Sequence, residues 1–377
     1  MRQDGYDWTV RPADWPPRGR PTPPLGPTEL EVVRACPLRA CFEASPTYER
    51  RLAFEARLGI AFHRVLESIT RQPPRGGDPE VVDEVRRCFQ AALREQLAVA
   101  EARPRERALP RDLKRLPRAE EALVLLGLRL RDAAGPLLAR TPAPAPEIEV
   151  EVALVSRDGL LAGRVDLVEH GPGGAQLVDY KASLRPDLPE QYRRQVLLYA
   201  LLWWECRGEW PQRAVVAYPL LETTHAVDVV PDECRRLGQE ARELLGLLQQ
   251  ASSPASLARP GTCCQACDFR PWCEPFWGWQ HAESRPSARL ERASWGMEVW
   301  VEDAVPDADH LRLQLAWGRD PVQLIVPLER YPHLRDVSRG ARLRLLDVRL
   351  RGLRHRPTAA LTERTEIFLV DADGRGA

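Results

Sequence analysis

Three residues near the middle of the chain have the types and the spacing of a hydrolytic metal site. Asp166 ends the segment Gly163-Arg164-Val165-Asp166, and Asp179 and Lys181 follow in Val178-Asp179-Tyr180-Lys181. Residues two apart on a strand point to one face, and a hairpin would bring Asp166 opposite the other two. Two neighbouring carboxylates suit Mg²⁺ or Mn²⁺, which polarises a phosphate oxygen and helps to ionise water. The pattern is typical of a metal-dependent phosphodiesterase.

Lys181 is unusual in this composition. Of 54 basic residues only Lys114 and Lys181 are lysines, so arginine stands almost everywhere that a cation is needed. A guanidinium cannot release a proton and spreads its charge over a plane, so it cannot replace a lysine that assists an attacking water. We therefore predict that Lys181 is catalytic. The alternative is a solvent-facing ion pair between neighbouring strands.

Further side chains are expected to complete this site from neighbouring elements. Apolar residues at helical spacing predict a helix over 52–70, and His63 on it would be a third metal ligand or else an ordinary hydrogen-bonded histidine. Gln195 and Tyr199 share one face of a helix predicted over 189–206, where they would orient the lysine or hold the phosphate, or simply pack. The alternating residues Glu149 and Glu151 could also approach the site, but we expect both on a solvated strand face.

The nine cysteines include a dense group near the end of the α/β segment. Cys264, Cys267 and Cys273 offer three closely spaced thiolates, and Cys36, more than 220 residues earlier, is the natural fourth ligand. Cys41 and Cys263 are spare thiols close to these positions. Four thiolates fit a [4Fe–4S] cluster or a structural Zn²⁺, and the spacing does not decide between them.

Periodicity predicts an α/β protein with three parts. Residues 1–27 contain seven prolines and form an extended arm, and 28–284 form the metal-binding core with a helical insertion. Residues 285–377 form a small β-barrel with the OB fold as the first choice. The predicted core helices cover 28–43, 52–70, 78–102, 118–139, 189–206 and 231–250, and the first of them ends near Cys36-Pro37, where proline interrupts it. The predicted core strands cover 147–156, 160–169, 175–182, 213–219 and 224–230. The predicted C-terminal strands cover 296–303, 309–317, 321–327, 341–351 and 363–371.

Arginines crowd one stretch of the C-terminal part, in which Asp347 is the only acid. With aromatic residues nearby, this stretch could bind single-stranded nucleic acid by stacking and phosphate contacts, or it could be the solvated face of a strand. The arginines are Arg342, Arg344, Arg349, Arg351, Arg354 and Arg356, and the aromatic residues are Trp295, Trp300 and Trp317.

Charge and composition limit the classes of partner. The formal net charge is zero, so any nucleic acid must be bound by local patches. The first residues lack the layout of a signal peptide and no apolar run is long enough to span a bilayer, so we predict a cytoplasmic protein with no membrane partner. A phosphate-binding loop of the type G-x4-G-K-[ST] is absent from the sequence, which argues against a helicase motor in this chain.

The ordered motifs resemble the PD-(D/E)xK nuclease superfamily, and within it the RecB-like branch that carries an iron–sulfur cluster. That branch includes the AddB nuclease domain and the CRISPR-adaptation nucleases. The resemblance covers about residues 28–276 and implies a restriction-endonuclease-like core with Lys181 catalytic. It implies that His63, Asp166 and Asp179 bind Mg²⁺ or Mn²⁺ and that Cys36, Cys264, Cys267 and Cys273 bind a [4Fe–4S] cluster. Gln195 and Tyr199 match the motif that follows Lys181 in this branch.

We therefore expect a metal-dependent DNA nuclease that acts on single strands or ends. Recombination and repair, CRISPR adaptation and phage defence are all compatible with it, and a helicase or a defence complex is a possible protein partner. Two alternatives remain open at this point. One is a catalytically silent or partner-dependent DNA-binding subunit, and the other is a zinc-stabilised factor that processes RNA.

Overall fold

The alternating residues of the central segment form a five-stranded sheet that carries the predicted site. Its strand order is β2-β3-β4-β5-β6, with β4 and β5 parallel and the other neighbours antiparallel. The strands are β2 (Glu147–Val155), β3 (Ala162–Gly171), β4 (Gly174–Tyr180), β5 (Arg213–Tyr218) and β6 (Thr223–Val227). The computed structural model describes residues 6–11, 15–107, 109–134, 147–283, 296–318, 320–353 and 356–371.

Helices cover the sheet and connect its strands. The parallel pair β4 and β5 requires a crossover, which α7 (Glu190–Arg207) provides with an almost entirely buried apolar run, Val196–Trp203. The helices before the sheet are α1 (Pro27–Ala35), α2 (Pro37–Glu43), α3 (Phe54–Arg71), α4 (Asp78–Glu101), α5 (Pro104–Arg107) and α6 (Leu116–Ala134), and those after it are α8 (Pro231–Gln250) and α9 (Glu274–Glu283). The first helix ends at Ala35, which agrees with the interruption predicted near Cys36-Pro37. Pro37 begins a new helix, and Cys36 lies in extended conformation at the break.

The helical insertion has its own core. The apolar faces of α3, α4 and α6 meet around Phe62, Phe89 and Leu123, which are all buried. This packing buries the apolar face of α3. The opposite face carries polar residues, among them His63, and lies along the edge of the site.

The C-terminal part forms a second sheet of eight strands in the order β1-β13-β10-β7-β8-β9-β12-β11. Its strands are β1 (Thr9–Val10), β7 (Gly296–Asp307), β8 (His310–Trp317), β9 (Asp320–Pro327), β10 (Arg342–Leu346), β11 (Arg349–Leu353), β12 (Arg356–Ala360) and β13 (Glu366–Val370). The strand expected over 341–351 is two strands, because Asp347 takes a positive φ of 56° between them. The sequence prediction also missed β12 and β1.

The N-terminal arm ties the two sheets together. Thr9 and Val10 pair in parallel with β13, and Val10, Phe368 and Val370 belong to the same buried cluster as the helices and strands of the α/β core. The proline-rich arm therefore wraps back onto the C-terminal sheet. No helix in the described ranges is long and apolar enough to cross a membrane.

Candidate active site

Four elements bring the predicted site residues to one end of the five-stranded sheet. Asp166 comes from the middle of β3, Asp179 from the end of β4, and His63 from the exposed side of α3. Lys181 follows β4, and its backbone N–H still donates to the carbonyl of Ala217, which continues the pairing with β5. Gln195 and Tyr199 on α7 complete the site.

Lys181 is held between a carboxylate and an amide. Its Nζ lies 2.8 Å from Asp179 Oδ2 and donates a hydrogen bond to Gln195 Oε1 at 2.9 Å. Gln195 Nε2 donates to Asp179 Oδ1 at 3.1 Å and contacts the Tyr199 hydroxyl at 2.9 Å. The structure thus joins four of the predicted residues in one network, and Asp179, Gln195 and Tyr199 in it are buried.

Asp179 keeps a free acceptor within this network. The ion-pair contact from Lys181 is close, but it does not have hydrogen-bond geometry, and Asp179 Oδ2 is buried without a hydrogen-bond partner among the described residues. The Lys181 ammonium already offsets the charge of this buried carboxylate. A carboxylate oxygen has more than one lone-pair site, so Asp179 Oδ2 could also face a second cation.

Asp166 and His63 complete the polar wall. Asp166 Oδ2 accepts a hydrogen bond from the Tyr180 backbone N–H at 2.6 Å, and Asp166 Oδ1 lies 3.8 Å from His63 Nδ1. Burial, followed by the charge of Asp179, raises the pKa of Asp166 to about 7. Burial and the charge of Lys181 lower the pKa of His63 below its ordinary value of 6.5, so the imidazole is neutral at pH 7 and keeps a lone pair for a metal.

One residue that we expected in solvent lies beside the site. The side chain of Glu151 is only 11% exposed, and its backbone takes a positive φ of 52° on the strand next to Asp166. Burial, followed by the charge of Glu67, raises the pKa of Glu151 above its ordinary value. Glu149, two residues earlier on the strand, instead contacts His170 and Arg207. The expectation of a solvated face is therefore wrong for Glu151.

Two further residues near the site were not found from the sequence. The Tyr192 ring lies 4.9 Å from Lys181 Nζ, and Glu67 follows His63 by one helical turn. The sequence did contain a signal for both. Tyr192 is three residues before Gln195 and Glu67 is four residues after His63, so each shares a helix face with a predicted site residue. Gln191, four residues before Gln195 on α7, is exposed and forms no hydrogen bond with the network.

The four predicted cluster cysteines lie around one small cavity of about 20 Å³ between α2 and the segment that precedes α9. Their thiols are close enough to influence one another. Burial first, and then the charges of Asp268 and Cys36, raise the pKa of Cys267 to about 11. Burial first, and then neighbouring thiols that include Cys36, raise the pKa of Cys264 to about 12. The pKa of Cys273 is raised for the same reasons. Cys263 also lines the cavity, whereas the buried Cys41 does not.

All of these thiols are free, and the described residues hold no preformed metal site. No group of three or more His, Cys, Asp or Glu side chains in the described ranges is arranged so that it could hold a metal ion. Of the C-terminal residues considered above, Trp295, Arg354 and the Arg356 side chain lie outside the described residues.

Solved structures with similarity to this chain share little sequence with it. A replication factor A related protein from Methanobacterium thermoautotrophicum is 14% identical, with 23% of this chain and 96% of that protein covered and a TM-score of 0.18. A protein named SSO0001 is 12% identical, with 66% and 95% covered and a TM-score of 0.25. A structure described as structural mimicry for functional antagonism is 10% identical, with 53% and 79% covered and a TM-score of 0.20. These TM-scores are too low to define a common fold.

Comparison with curated proteins gives no match. A family model, in contrast, matches residues 24–274, which is well over half of the chain and contains every predicted site residue from Cys36 to Cys273. The chain belongs to the PD-(D/E)XK nuclease superfamily.

Proposed function

We propose that the protein is a metal-dependent deoxyribonuclease that hydrolyses phosphodiester bonds in single-stranded DNA or at DNA ends. The observation that carries the proposal is the network in which Asp179 and Gln195 hold the ammonium of Lys181, with Asp166 opposite on the next strand. A merely structural ion pair would not require a buried glutamine to contact both partners.

The metal ligands in this proposal are His63, Asp166 and Asp179. The donor types fit Mg²⁺ or Mn²⁺, since two carboxylates face a neutral imidazole and one buried carboxylate oxygen lacks a hydrogen-bond partner. A bound divalent ion would polarise a phosphate oxygen and lower the pKa of water.

The residues of the chain itself supply positioning and charge. Lys181 is fixed by two partners, so its ammonium can orient the attacking water and offset the charge that develops on the phosphate. Gln195 fixes the orientation of the Asp179 carboxylate, and Tyr199 in turn contacts Gln195. The pKa of Tyr199 is raised by burial and by Asp179, so it remains a neutral hydroxyl.

We further propose that the chain belongs to the RecB-like branch and binds a [4Fe–4S] cluster through Cys36, Cys264, Cys267 and Cys273, with structural Zn²⁺ as the alternative. The support is that these four thiols surround one cavity although Cys36 is 228 residues from Cys264 in the chain. Iron and sulfide analysis of anaerobically purified protein, with zinc analysis of the same sample, distinguishes the two.

The wider setting is part of the same proposal. The core and the C-terminal sheet would be separate domains meeting near residue 284, the latter related to the OB fold. The protein would act in the cytoplasm, in recombination and repair, CRISPR adaptation or phage defence, with a helicase or a defence complex as its partner.

The test is cleavage of end-labelled linear and circular single-stranded DNA with Mg²⁺ or Mn²⁺. The chain provides a matched control, because Lys114 is the only other lysine and is exposed. We expect Lys181→Ala to lose at least about 100-fold in rate and Lys114→Ala to match the parent. Cleavage of the circle would show endonuclease activity, and cleavage of linear DNA alone would show exonuclease activity.

Other outcomes would favour the alternatives. DNA binding without cleavage under either metal would indicate a silent or partner-dependent subunit. Cleavage of RNA alone, by protein that contains zinc and no iron, would indicate an RNA-processing factor. Equal activity of the parent and Lys181→Ala would remove the assignment of Lys181.

A further inference from the structure

Two large cavities adjoin along the junction between the α/β core and the C-terminal sheet. One has a volume of about 950 Å³ and the other about 1070 Å³, and they share Arg51, Leu109, Glu363 and Arg364 in their walls. Together they form a continuous groove, which we call the seam. The α/β wall of the seam includes Ala53 and Glu55, and its C-terminal wall includes strand β11.

Most charges in the wall of the smaller cavity neutralise one another. Arg51 contacts Asp268 at 3.7 Å and Asp347 at 3.6 Å, and the buried Arg270 contacts Asp347 at 3.1 Å. Glu55 forms an ion pair with Arg115 at 3.7 Å. These pairs leave few acids free to bind other cations in the seam.

Three arginines in the same wall are different. Arg349, Arg351 and Arg364 are exposed, and within the described part of the chain none of their guanidinium groups forms an ion pair. Among the acids in the wall of the smaller cavity, Glu363 is equally free, and the larger cavity adds the exposed acids Asp309 and Glu329. The walls of the two cavities together contain nine arginines and seven acids, so the seam has an excess of positive charge in a protein whose net charge is zero.

The spacing of these arginines fits a strand of phosphates. Arg349 and Arg351 are two residues apart on the edge strand β11, so their side chains leave the same face about 7 Å apart. That separation is on the scale of one nucleotide step in an extended strand. A guanidinium binds phosphate through two parallel hydrogen bonds, and a positively charged groove that follows the backbone is the usual device for single-stranded DNA.

Helix α3 connects the seam to the candidate active site. Glu55 in the seam wall, Gly59 and His63 follow at intervals of four and share one face of the helix. His63 therefore lies about 12 Å from Glu55 along the helix axis. A Cβ added at Gly59, midway between the two, would meet no atom within 4 Å, so the helix surface is open at this point.

From this arrangement we infer that the seam binds single-stranded DNA through Arg349, Arg351 and Arg364 and guides it along α3 to the active site. The inference rests on the proposed nuclease function and names the path of its substrate.

The test is binding of a fluorescent single-stranded oligonucleotide in EDTA at several salt concentrations, so that no cleavage enters the result. We compare the parent with Arg349→Gln/Arg351→Gln/Arg364→Gln. Loss of three phosphate contacts should reduce the slope of log affinity against log salt by about 2. The triple lysine variant at the same positions should keep most of the slope, because it keeps the charge.

The matched control removes three exposed arginines that do not line the seam, in Arg75→Gln/Arg94→Gln/Arg118→Gln. It should bind as the parent does, and thermal melting should show that all variants fold. Equal slopes for the seam and control variants, or no binding by the parent, would overturn the inference. An equal loss for a blunt duplex of the same length would overturn the assignment to single strands.

The result is separable from the proposed nuclease activity. If the parent protein binds through the seam but does not cleave with either metal, the proposed nuclease activity is contradicted and DNA binding in the seam is supported. If the parent protein cleaves DNA but the seam variant binds as tightly as the control variant, DNA binding in the seam is contradicted and the proposed nuclease activity is supported.

Discussion

At the scale of single residues, the absence of a side chain at position 163 shapes the candidate site. A Cβ at Gly163 would lie 2.7 Å from Cε1 of the Tyr199 ring, which is closer than real contacts allow. Tyr199 contacts Gln195, and Gln195 holds both Asp179 and Lys181. Because Gly163 has no side chain, the Tyr199 ring of α7 has room to contact Gln195, and Gln195 in turn holds Lys181.

We predict that Gly163→Ala displaces the Tyr199 ring and lowers both stability and activity. Overpacking of this kind costs about 1–3 kcal/mol in the free energy of unfolding. Chemical denaturation measures the stability, and DNA cleavage measures the activity. In a Tyr199→Ala background the added methyl group should cost much less, and an unchanged cost there would show that the clash is not with this ring.

At the scale of elements, α3 has two faces with different tasks. Phe62, Leu66 and Ile69 pack into the core of the helical insertion, while Gly59, His63 and Glu67 lie on the side of the site. A glycine in a helix interior costs about 1 kcal/mol relative to alanine, and nothing in the described structure fills the space at Gly59. Close approach of a substrate would account for its presence.

We predict that Gly59→Leu leaves the fold at least as stable and reduces DNA cleavage, because a side chain would then stand on the substrate path. Gly246→Leu is the control, since Gly246 is also helical and has only Gln250 near its added Cβ, at 3.9 Å. Thermal melting should show both variants as stable as the parent or more so. Full activity of Gly59→Leu would exclude a path over this face.

At the scale of the whole molecule, a buried ion pair links the helical insertion to the C-terminal sheet. Arg105 on α5 is 1% exposed, and its guanidinium donates to the Glu366 carboxylate on β13 at 2.8 and 3.1 Å. Arg51 contacts the same carboxylate at 3.0 Å, and Trp272 lies under the Arg105 guanidinium. Docking of the sheet therefore depends on complementary charge as well as on apolar contacts.

We predict that Glu366→Gln destabilises the protein by about 3–5 kcal/mol, because it leaves the Arg105 charge buried without its partner. Urea denaturation measures the loss. Glu363→Gln, three residues away and exposed, should change stability by less than about 0.5 kcal/mol. A similar effect of both substitutions would show that the buried pair contributes nothing specific.

The same pair predicts a dependence of stability on acid. Burial alone would raise the pKa of Glu366, but the charges of Arg105 and Arg51 outweigh it and lower the pKa below its ordinary value of 4.5. Stabilisation by the carboxylate is therefore complete above its unfolded pKa and is lost as the pH falls through the lower folded pKa. The stability difference between the parent and Glu366→Gln should shrink below about pH 4, and a constant difference from pH 7 to pH 3 would contradict this.

Local patterns in the sequence were enough to predict the secondary structure of the core and the superfamily of the chain. Helical and alternating periods are local properties, so α3, α7 and α8 and the five core strands could be placed to within a few residues. The pair Asp179 and Lys181 on one strand face followed from the same period. The order of the motifs was also sufficient for the superfamily, which the match over residues 24–274 confirms.

Which distant residues meet could be read only from the folded chain. It turned Glu151 toward Asp166 and left Glu149 outside, although both share one sequence pattern. Pairing of β1 with β13 joins segments about 360 residues apart, and the pair Arg105–Glu366 spans 261. Contacts at such separations depend on the packing of the whole chain, which no local period encodes.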